Sequence, residues 1–520
     1  MSDHKGLIII GGGITGLSAG LAWSKNVDIE NNPVTIIEKQ PVVGGYVTSY
    51  KRKGFLFDTT QIIPDINDML EYLDVQIDLK RYQGYYARIF IANPKTGEVQ
   101  QYKIPSSLQG FEYYLTNRFY KDSTQIKKFF KISKKIYDEL FVIKLNPTFF
   151  EKINMLFRCR LTIKTANMTF KEFYESFRIK SPEVREIFNV FAAFSGMPAE
   201  RVAAQLTIGA MLATLEGAYR PLEGFIQFPQ QLKKKFLDSG GKLLTNTRVE
   251  KIEIENGKVK GVILEGGEML SAEYVITTID AKVAMKELVG LEQLNKLNKK
   301  YATKVETMKM SASSLHIGLG LDDDIDLESL GFDCGYNVLT TGGDTFEKLF
   351  EAFDLDKTSI SAGLFHCGVI VPSLTTNKKN TVIIRIVPIP ASQWIKTRKG
   401  NQWLYEKEKN DLADFFIDIV EKYLIPDLRK HIVVRDIATP ATFARYSGSP
   451  TGSNYDMAPF PNNFGKNRLS MVTPVKNLFQ PKFSNGIWPC MQAGLQVVDY
   501  ILKGKIMNGY SRFRKEIVNK

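Results

Sequence analysis

The chain has 520 residues, too many for one ordinary domain, which predicts about two to four domains. Apolar residues make up 44% and charged residues 24% of the chain, globular proportions that count against collagen, coiled coil and disorder. The formal net charge is +13, and no two cysteines form a CxxC pair, which indicates reduced thiols in a cytoplasmic protein at Cys159, Cys334, Cys367 and Cys490.

A membrane-spanning helix is not expected, because no run approaches about 18 consecutive apolar residues. The N-terminus also lacks the pattern of a secretory signal, since the apolar run at residues 7–10 is short and leads directly into glycines. This run is therefore predicted to be a strand that starts the fold.

The predicted elements begin with a βαβ unit. Residues 7–10 form a strand, a helix follows to about Lys25, and Val34 to Ile37 form a second strand. Residues 111–220 have a mostly helical pattern, and residues 243–279 alternate like a β-meander with Asn-Gly and Gly-Gly turns. Four later elements are strands at 313–321 and 381–387 and helices at 404–424 and 489–502.

A glycine-rich turn joins the first strand to the first helix. Gly11, Gly13 and Gly16 satisfy the pattern G-x-G-x-x-G in this context. Gly11 permits the tight turn, Gly13 lets the backbone approach a pyrophosphate, and Gly16 lets the helix pack on the strand. The helix N-terminus, at Ile14 and Thr15, presents free N–H groups and a positive dipole end to phosphate.

Glu38 ends the second strand, where a carboxylate accepts hydrogen bonds from ribose hydroxyls and repels a 2′-phosphate. The paired glycines Gly44 and Gly45 follow within a few residues. The whole stretch, EKQPVVGGYVTSYKRKGFLFD at 38–58, resembles the segment after the dinucleotide fingerprint in flavoprotein oxidoreductases. That resemblance favours FAD over NAD.

The chain resembles the phytoene desaturase, carotenoid isomerase and retinol saturase group of FAD-dependent oxidoreductases, and the resemblance extends over nearly the whole chain. The matching segments are VTSYKRKGFLFD at 47–58, residues 219–264, which begin with YRPLEGFIQFPQQL, YVITTID at 274–280, VPSLTTNKKNTVIIRIVPI at 371–389, TPATFARYSGSPTGSNYDMAP at 439–459 and TPVKNLFQPKFSNGIWPCMQAG at 473–494. The resemblance implies an α/β fold. It has a three-layer Rossmann-type FAD-binding domain, with a parallel sheet and a β-meander, and a mixed sheet-and-helix substrate domain with a helical cap.

The same resemblance implies further cofactor contacts. Val249 matches the meander position whose backbone holds the adenine, and residues 486–494, with Trp488 and Met491, match a closing segment whose helix N-terminus faces the flavin pyrimidine. Lys39, Gly44, Gly45 and Tyr46 complete the predicted site. Three departures concern this site: Tyr46 stands in place of an Arg, Thr60-Gln61 in place of a Gly, and Gln480-Pro481-Lys482 in place of a Gly-containing turn. Because of the last departure, a weakened or lost flavin site remains an alternative interpretation.

Most of the net positive charge lies in one segment of the chain. Between Arg118 and Arg185 there are 16 Lys or Arg and 7 Asp or Glu, a net charge of +9. On a helical wheel of 126–141, apolar residues fall on one side and five lysines on the other. A solvated basic face and an interfacial helix on an anionic membrane surface both fit this pattern. Nucleic acid is not expected, because no reader motif is present.

Catalytic side chains are not apparent from the sequence. Glu216, Tyr219, Arg220 and Glu223 surround a position that the family resemblance sets near the flavin, and either proton transfer or a structural turn fits them. The four histidines lack metal-ligand spacing, so no metal site is predicted. Cys490 is expected to pack near the flavin rather than to react.

We therefore expect an FAD-binding domain assembled from residues 1–80, 220–300 and 440–520. Residues 81–219 and 301–439 would form the substrate-binding domain, with 110–215 as a helical, membrane-facing cap. The resemblance implies desaturation, saturation or isomerisation of a long isoprenoid or polyene lipid by flavin N5 hydride chemistry, in a cytoplasmic, peripheral membrane protein. An amine oxidase-like flavoenzyme and a catalytically degenerate flavoprotein scaffold are the alternatives. The sequence leaves the oligomeric state undetermined.

Overall fold

The computed structural model describes residues 6–143, 149–332, 336–358, 363–372, 379–481 and 486–506, without the side chain of Lys466. Cys334 and Lys482, two residues that the sequence analysis names, lie outside the described residues. Among the described helices, none is both long enough and apolar enough to cross a membrane.

The strands, in chain order, are β1 (Leu7–Ile10), β2 (Val34–Ile37), β3 (Ser49–Arg52), β4 (Phe55–Asp58), β5 (Ile63–Pro64), β6 (Leu79–Arg81), β7 (Tyr85–Ala92), β8 (Val99–Pro105), β9 (Ala218–Pro221), β10 (Lys242–Leu244), β11 (Val249–Glu255), β12 (Lys258–Leu264), β13 (Met269–Ser271), β14 (Tyr274–Thr277), β15 (Ser313–Leu321), β16 (Tyr336–Thr340), β17 (His366–Ile370), β18 (Thr381–Ile389), β19 (Ile432–Ala438) and β20 (Leu478–Phe479).

The helices are α1 (Ile14–Asn26), α2 (Asn67–Tyr72), α3 (Leu108–Arg118), α4 (Ser123–Leu140), α5 (Phe149–Arg158), α6 (Arg160–Thr165), α7 (Phe170–Glu175), α8 (Pro182–Phe194), α9 (Ala204–Glu216), α10 (Gln227–Asp238), α11 (Ala281–Val283), α12 (Leu291–Thr307), α13 (Thr345–Asp354), α14 (Ala391–Gly400), α15 (Gln402–Tyr423), α16 (Pro440–Ser447) and α17 (Ile487–Ile501). A π-helical segment, Ala284–Gly290, joins α11 to α12.

A five-stranded parallel sheet in the order β10-β2-β1-β14-β20 forms one half of the molecule. Its central strand β1 is fully buried, as expected for a parallel strand covered on both faces. The strands come from each of the three stretches that the sequence analysis assigns to the FAD-binding domain. The α/β fold class is therefore confirmed, while the exact domain division remains a prediction.

The antiparallel meander is shorter than the predicted range of residues 243–279. Strands β11, β12 and β13 form it, whereas β10 and β14 belong to the parallel sheet. The prediction was wrong at both ends because short apolar runs show no period that separates a meander strand from a buried parallel strand.

A seven-stranded sheet in the order β19-β15-β18-β17-β16-β7-β8 forms the other half. One of its faces packs against α14 and α15, with Trp394 and Phe416 in a shared apolar core. The other face packs against helices α3, α4, α7, α8 and α9, so a sheet and a helical layer stand opposite each other.

The helical layer corrects the interpretation of residues 126–141 as a membrane-facing helix. Ile126, Phe129, Phe130 and Ile136 on α4 are all 0–1% exposed, and Phe129 stacks on Phe188 of α8 with ring centroids 4.3 Å apart. The apolar side of α4 is thus part of the protein core and is not available to a bilayer, while the lysines opposite it face solvent.

Candidate functional site

One large cavity, of about 1580 Å³, lies between the two halves of the molecule. It extends from the β1–α1 turn, past the residues after β2, to helices α4, α8 and α9 and the facing side of the seven-stranded sheet. Ligand pockets for one small molecule usually measure roughly 300–1000 Å³. The cavity is therefore large enough for a dinucleotide together with a second molecule.

The glycine-rich turn forms one end of this cavity. Gly11 has a φ of +106°, which an L side chain rarely adopts. A Cβ placed on Gly13 would meet no protein atom within 4 Å, so this backbone faces open space. Gly44 pairs with Gly13 in an isolated bridge, and Gly45 lies close enough that its Cβ would be 3.6 Å from the Gly13 Cα. Two stretches of bare backbone thus border the space where the sequence predicts phosphates.

Gly16 has a different place. It does not line the cavity, and a Cβ there would lie 2.1 Å from the carbonyl oxygen of Gly11. Its role is to let α1 pack closely on the turn, which is the role that the spacing predicts. Ile14 and Thr15, at the start of α1, do line the cavity.

Glu38 is held in a fixed orientation beside the turn. The backbone N–H of Gly12 donates to its Oε2 and that of Gln40 to its Oε1, both at 2.8 Å. Glu38 is 9% exposed and lines the cavity, so the remaining lone pairs of its carboxylate can accept hydrogen bonds from a ligand. This geometry suits a ribose diol.

The other predicted cofactor residues divide into two groups. Lys39, Tyr46, Val249 and Trp488 line the cavity. Burial raises the pKa of Tyr46, so its phenol is neutral, and burial lowers the pKa of Lys39. Met491 does not line the cavity; its side chain is completely buried in the core of the nucleotide half. Its predicted contact with the flavin is therefore corrected to a packing role.

Residues 446–456, from the end of α16 onward, border the site although the sequence did not predict them there. Gln40 donates its side-chain Nε2 to the carbonyl oxygen of Tyr446 at 2.9 Å, and Ser449 donates its Oγ to Asp280 at 2.7 Å. Asp280 follows β14 and caps α11. These contacts hold residues 446–456 along the cavity, and only the family resemblance of 439–459 gave a signal for them.

The four candidate catalytic residues lie outside the cavity wall, which corrects the interpretation that set them near a flavin. Arg220 is fully buried, pairs with Asp58 and donates to the carbonyl oxygen of Gln61 at 2.9 Å. Glu216 accepts from Tyr137 at 3.0 Å, and Tyr219 donates to Asp65 at 3.1 Å. Glu223 is exposed. The observed contacts of Arg220, Glu216 and Tyr219 are structural.

The end of the cavity far from the glycine-rich turn has mostly apolar walls. Helices α4, α8 and α9 supply one side. The apolar lining side chains there are Leu140, Phe141, Phe191, Phe194, Leu206, Ala210 and Ala213, joined by Pro459 and Phe464, and the polar ones are Tyr137, Ser195, Gln205 and Thr214. Gly209 on α9 also borders this space, where a Cβ would meet only the Leu140 Cδ1 at 3.8 Å. We call this region the apolar arm.

Other reactive side chains give little sign of catalysis. Cys490 lies in the cavity wall near the start of α17 and is buried. Within the part of the chain that the structure describes, no group of His, Cys, Asp and Glu is arranged to hold a metal ion. His316 does line the cavity, although its sequence context gave no indication of this.

Comparison with known proteins agrees with this arrangement. The family described as flavin containing amine oxidoreductase matches residues 15–314, more than half of the chain. The chain is 23% identical to the 4,4'-diaponeurosporene oxygenase of Staphylococcus haemolyticus over 87% of each chain. It is 24% identical to the chloroplastic prolycopene isomerase of Daucus carota over 89% of this chain and 73% of that one.

The fold is also that of a solved amine oxidase. The cyclohexylamine oxidase of Brevibacterium oxydans superposes with a TM-score of 0.60 at 12% identity and 99% coverage of both chains. The family match, the glycine-rich turn and the adjoining carboxylate agree on one cofactor class. The chain therefore belongs to the flavin-containing amine oxidoreductase family and is an FAD-dependent oxidoreductase.

Proposed function

We propose that this oxidoreductase acts on a long apolar isoprenoid or polyene lipid, by desaturation, saturation or isomerisation. The observation that carries the proposal is the apolar arm, which continues the FAD end of the cavity into a space bordered by three helices. Two relatives named for polyene substrates, a diaponeurosporene oxygenase and a prolycopene isomerase, support the same substrate class.

The apolar arm suits a polyene for a physical reason. Burial of apolar surface contributes about 25 cal/mol per Å², and a long hydrocarbon chain offers much surface and few polar groups. The aromatic and aliphatic side chains of the arm would bind such a chain without hydrogen bonds and would keep water away from it. A small amine has an ammonium group that needs acceptors, and most side chains of the arm offer none.

For the cofactor, we propose contacts that follow the cavity wall. Glu38 would accept from the ribose hydroxyls, Gly13, Gly44 and Gly45 would border the pyrophosphate, and Val249 would lie beside the adenine. The N-terminus of α17, near Trp488, would favour negative charge on the flavin. Bound FAD would supply hydride transfer at N5. Desaturation would need a quinone or O2 as external electron acceptor, saturation would need an external electron donor, and isomerisation would need no net electron transfer.

The protein's part in the reaction is then positioning. The turn and the residues after β2 fix one end of the cofactor, while the apolar arm orients the polyene beside it. Because polyene chemistry at the flavin needs few acid or base groups, the absence of the four predicted catalytic residues from the wall is consistent with this role.

The test is a direct comparison of two substrate classes. FAD-loaded protein is incubated separately with prolycopene, with 4,4'-diaponeurosporene and with cyclohexylamine. The products are separated by chromatography, and their molecular masses are measured by mass spectrometry. We expect a polyene product, either two hydrogens different in mass or a new isomer of equal mass. Oxidation of cyclohexylamine without conversion of either polyene would contradict the proposal and favour an amine oxidase.

We also propose that the protein takes its substrate from an anionic membrane surface through α5. This helix has no buried residue, and five of its apolar side chains are 39–81% exposed: Phe149, Phe150, Ile153, Leu156 and Phe157. Large exposed apolar patches on soluble proteins mark interaction sites, and an amphipathic helix with basic flanks is typical of a membrane interface.

Two further observations support a bilayer as the partner of α5. Lys152 and Arg158 on the helix, with Arg160 and Lys164 on α6, are exposed and would attract anionic lipids. Phe141 and Ile143, which end the segment before α5 in the described chain, both line the cavity and are 41% and 42% exposed. The mouth of the apolar arm is therefore close in sequence to the exposed helix.

Liposome sedimentation tests the role of α5. Wild-type protein should sediment with phosphatidylserine-containing vesicles at low salt, and Phe150→Ser with Phe157→Ser should reduce the bound fraction several-fold. Trp403→Ser is the matched control, because Trp403 is an aromatic residue that is 72% exposed on α15. Wild-type protein that stays in the supernatant, or equal losses with the α5 variant and the control, would contradict a membrane role for α5.

A further inference from the structure

A polar pair interrupts the cavity wall on the sheet side. His316 on β15 and Arg385 on β18 are direct partners in the antiparallel register, and both line the cavity. Side chains of directly opposed residues point to the same face with Cβ atoms about 4.5–5.5 Å apart. The two groups therefore present one polar surface to whatever occupies the cavity.

Neither group has its full set of hydrogen-bond partners. The Nε2 atom of His316 and the Nε atom of Arg385 are buried and find no partner among the described residues. Their observed contacts are with aromatic rings: His316 meets Phe443 edge-on at 4.9 Å, and the Arg385 guanidinium lies 5.9 Å from the centre of the Tyr455 ring. Buried polar groups are normally hydrogen-bonded, so an unsatisfied pair in a cavity wall points to a ligand.

The charge of the pair defines the ligand further. Burial and the neighbouring Arg385 lower the pKa of His316 well below its usual value, so the imidazole is neutral near pH 7. On the same sheet face, two residues along β19 from the position opposite His316, the carboxylate of Asp436 accepts from Arg52 at 3.2 Å. No ion pair to Arg385 is found among the residues that the structure describes, so the pair carries one positive charge without a counter-ion.

We propose that His316 and Arg385 bind an oxygen-bearing end group, a carboxylate or carbonyl, on an otherwise apolar substrate or product. The inference rests on the proposed function and adds an end-group preference to it. A guanidinium matches the geometry of a carboxylate, and a neutral imidazole can donate a further hydrogen bond to the same group. The polyene would then lie in the apolar arm with its oxygenated end at the sheet.

A matched pair of probes tests the preference. Parinaric acid is a fluorescent conjugated tetraene with a carboxylate, and its methyl ester has the same chain without the charge. FAD-loaded wild-type protein should bind the acid about tenfold more tightly than the ester at pH 7. Arg385→Met should bring the two affinities within about twofold, whereas Arg385→Lys should keep part of the difference. Phe194→Leu in the apolar arm should weaken the binding of both probes equally.

Two results would overturn the inference. One is equal affinity of the wild-type protein for the acid and the ester. The other is an unchanged acid-to-ester ratio in Arg385→Met, and a loss of FAD or a shifted flavin absorbance in that variant would then assign the pair to the cofactor. Failure of the same preparation to convert any polyene would contradict the proposed function, while the acid-to-ester ratio would still decide this inference.

Discussion

At the residue scale, Gly13 and Gly16 of the dinucleotide turn have different structural roles. A side chain at Gly13 would enter open cavity space, whereas a side chain at Gly16 would strike the backbone of Gly11. Gly13→Val should therefore leave thermal unfolding of the FAD-free protein unchanged and abolish flavin retention. Gly16→Ala should lower the free energy of unfolding by about 1–3 kcal/mol, as overpacked sites do. Full flavin content in purified Gly13→Val would contradict the assignment of this turn.

Arg220 is expected to stabilise the fold rather than to take part in the reaction. Its partner Asp58 also accepts from Ser49 and from the backbone N–H of Phe225, and both members of the ion pair have fully buried side chains. Arg220→Met should cost about 3–5 kcal/mol of unfolding free energy, because it leaves a buried carboxylate without its cation. Denaturant unfolding measures this, and a stable variant that loses only turnover would support the discarded catalytic role.

Glu186 on α8 should make the free energy of unfolding depend on pH. Burial raises its pKa to about 7, with Glu200 and Asp344 adding repulsion. The folded state then binds a proton that the unfolded chain, with a pKa near 4.5, has released. The unfolding free energy should therefore fall between pH 4.5 and 7, by up to about 3 kcal/mol. Glu186→Gln should remove this fall. Denaturant unfolding at several pH values measures it, and an equal fall of the unfolding free energy in both proteins between pH 4.5 and 7 would contradict this role of Glu186.

At the element scale, α4 and α5 both have an apolar side but differ in what covers it. Phe129→Ala on α4 should cost about 3–5 kcal/mol of unfolding free energy, because its ring lies in the core. Phe150→Ala on α5 should change the unfolding free energy by no more than about 0.5 kcal/mol, because the ring of Phe150 is 81% exposed. Denaturant unfolding distinguishes them, and a large loss in Phe150→Ala would mean that α5 is packed.

The same two helices illustrate how far sequence alone could predict this fold. The opening βαβ unit and the helix at 404–424 were predicted within a few residues, because their apolar periods are regular and their ends are marked. The amphipathic pattern of α4 was also recognised, but a periodic pattern reveals an apolar face and not what lies against it. The exposed α5 was not separated from the helical segment around it.

The site was predictable where it is local and not where distant segments meet. The turn at Gly11 to Gly16 and Glu38 lie within one βαβ unit, so their spacing predicts their arrangement. The roles of Arg220 and Glu216 depend on Asp58 and Tyr137, which are far away in sequence. His316 and Arg385 become neighbours only through the register of β15 and β18, which no short motif encodes.

At the scale of the whole molecule, the two sheets and the helical layer enclose one cavity with two chemically different ends. The glycine-rich turn and Glu38 supply polar contacts at one end, and α4, α8 and α9 supply apolar ones at the other. The central claim is that FAD occupies the first end and a polyene the second. If so, the two sites can be blocked separately by substitutions at glycines that border each space.

The most direct test is the conversion of prolycopene or 4,4'-diaponeurosporene per mole of bound FAD in wild-type protein and in Gly209→Phe. Gly209 borders the apolar arm, and a Cβ there would meet only one atom, the Leu140 Cδ1 at 3.8 Å. A phenylalanine should therefore fill the arm without disturbing the FAD end. We predict a full flavin complement and a loss of at least tenfold in polyene conversion. Conversion at the wild-type rate by Gly209→Phe would contradict the account.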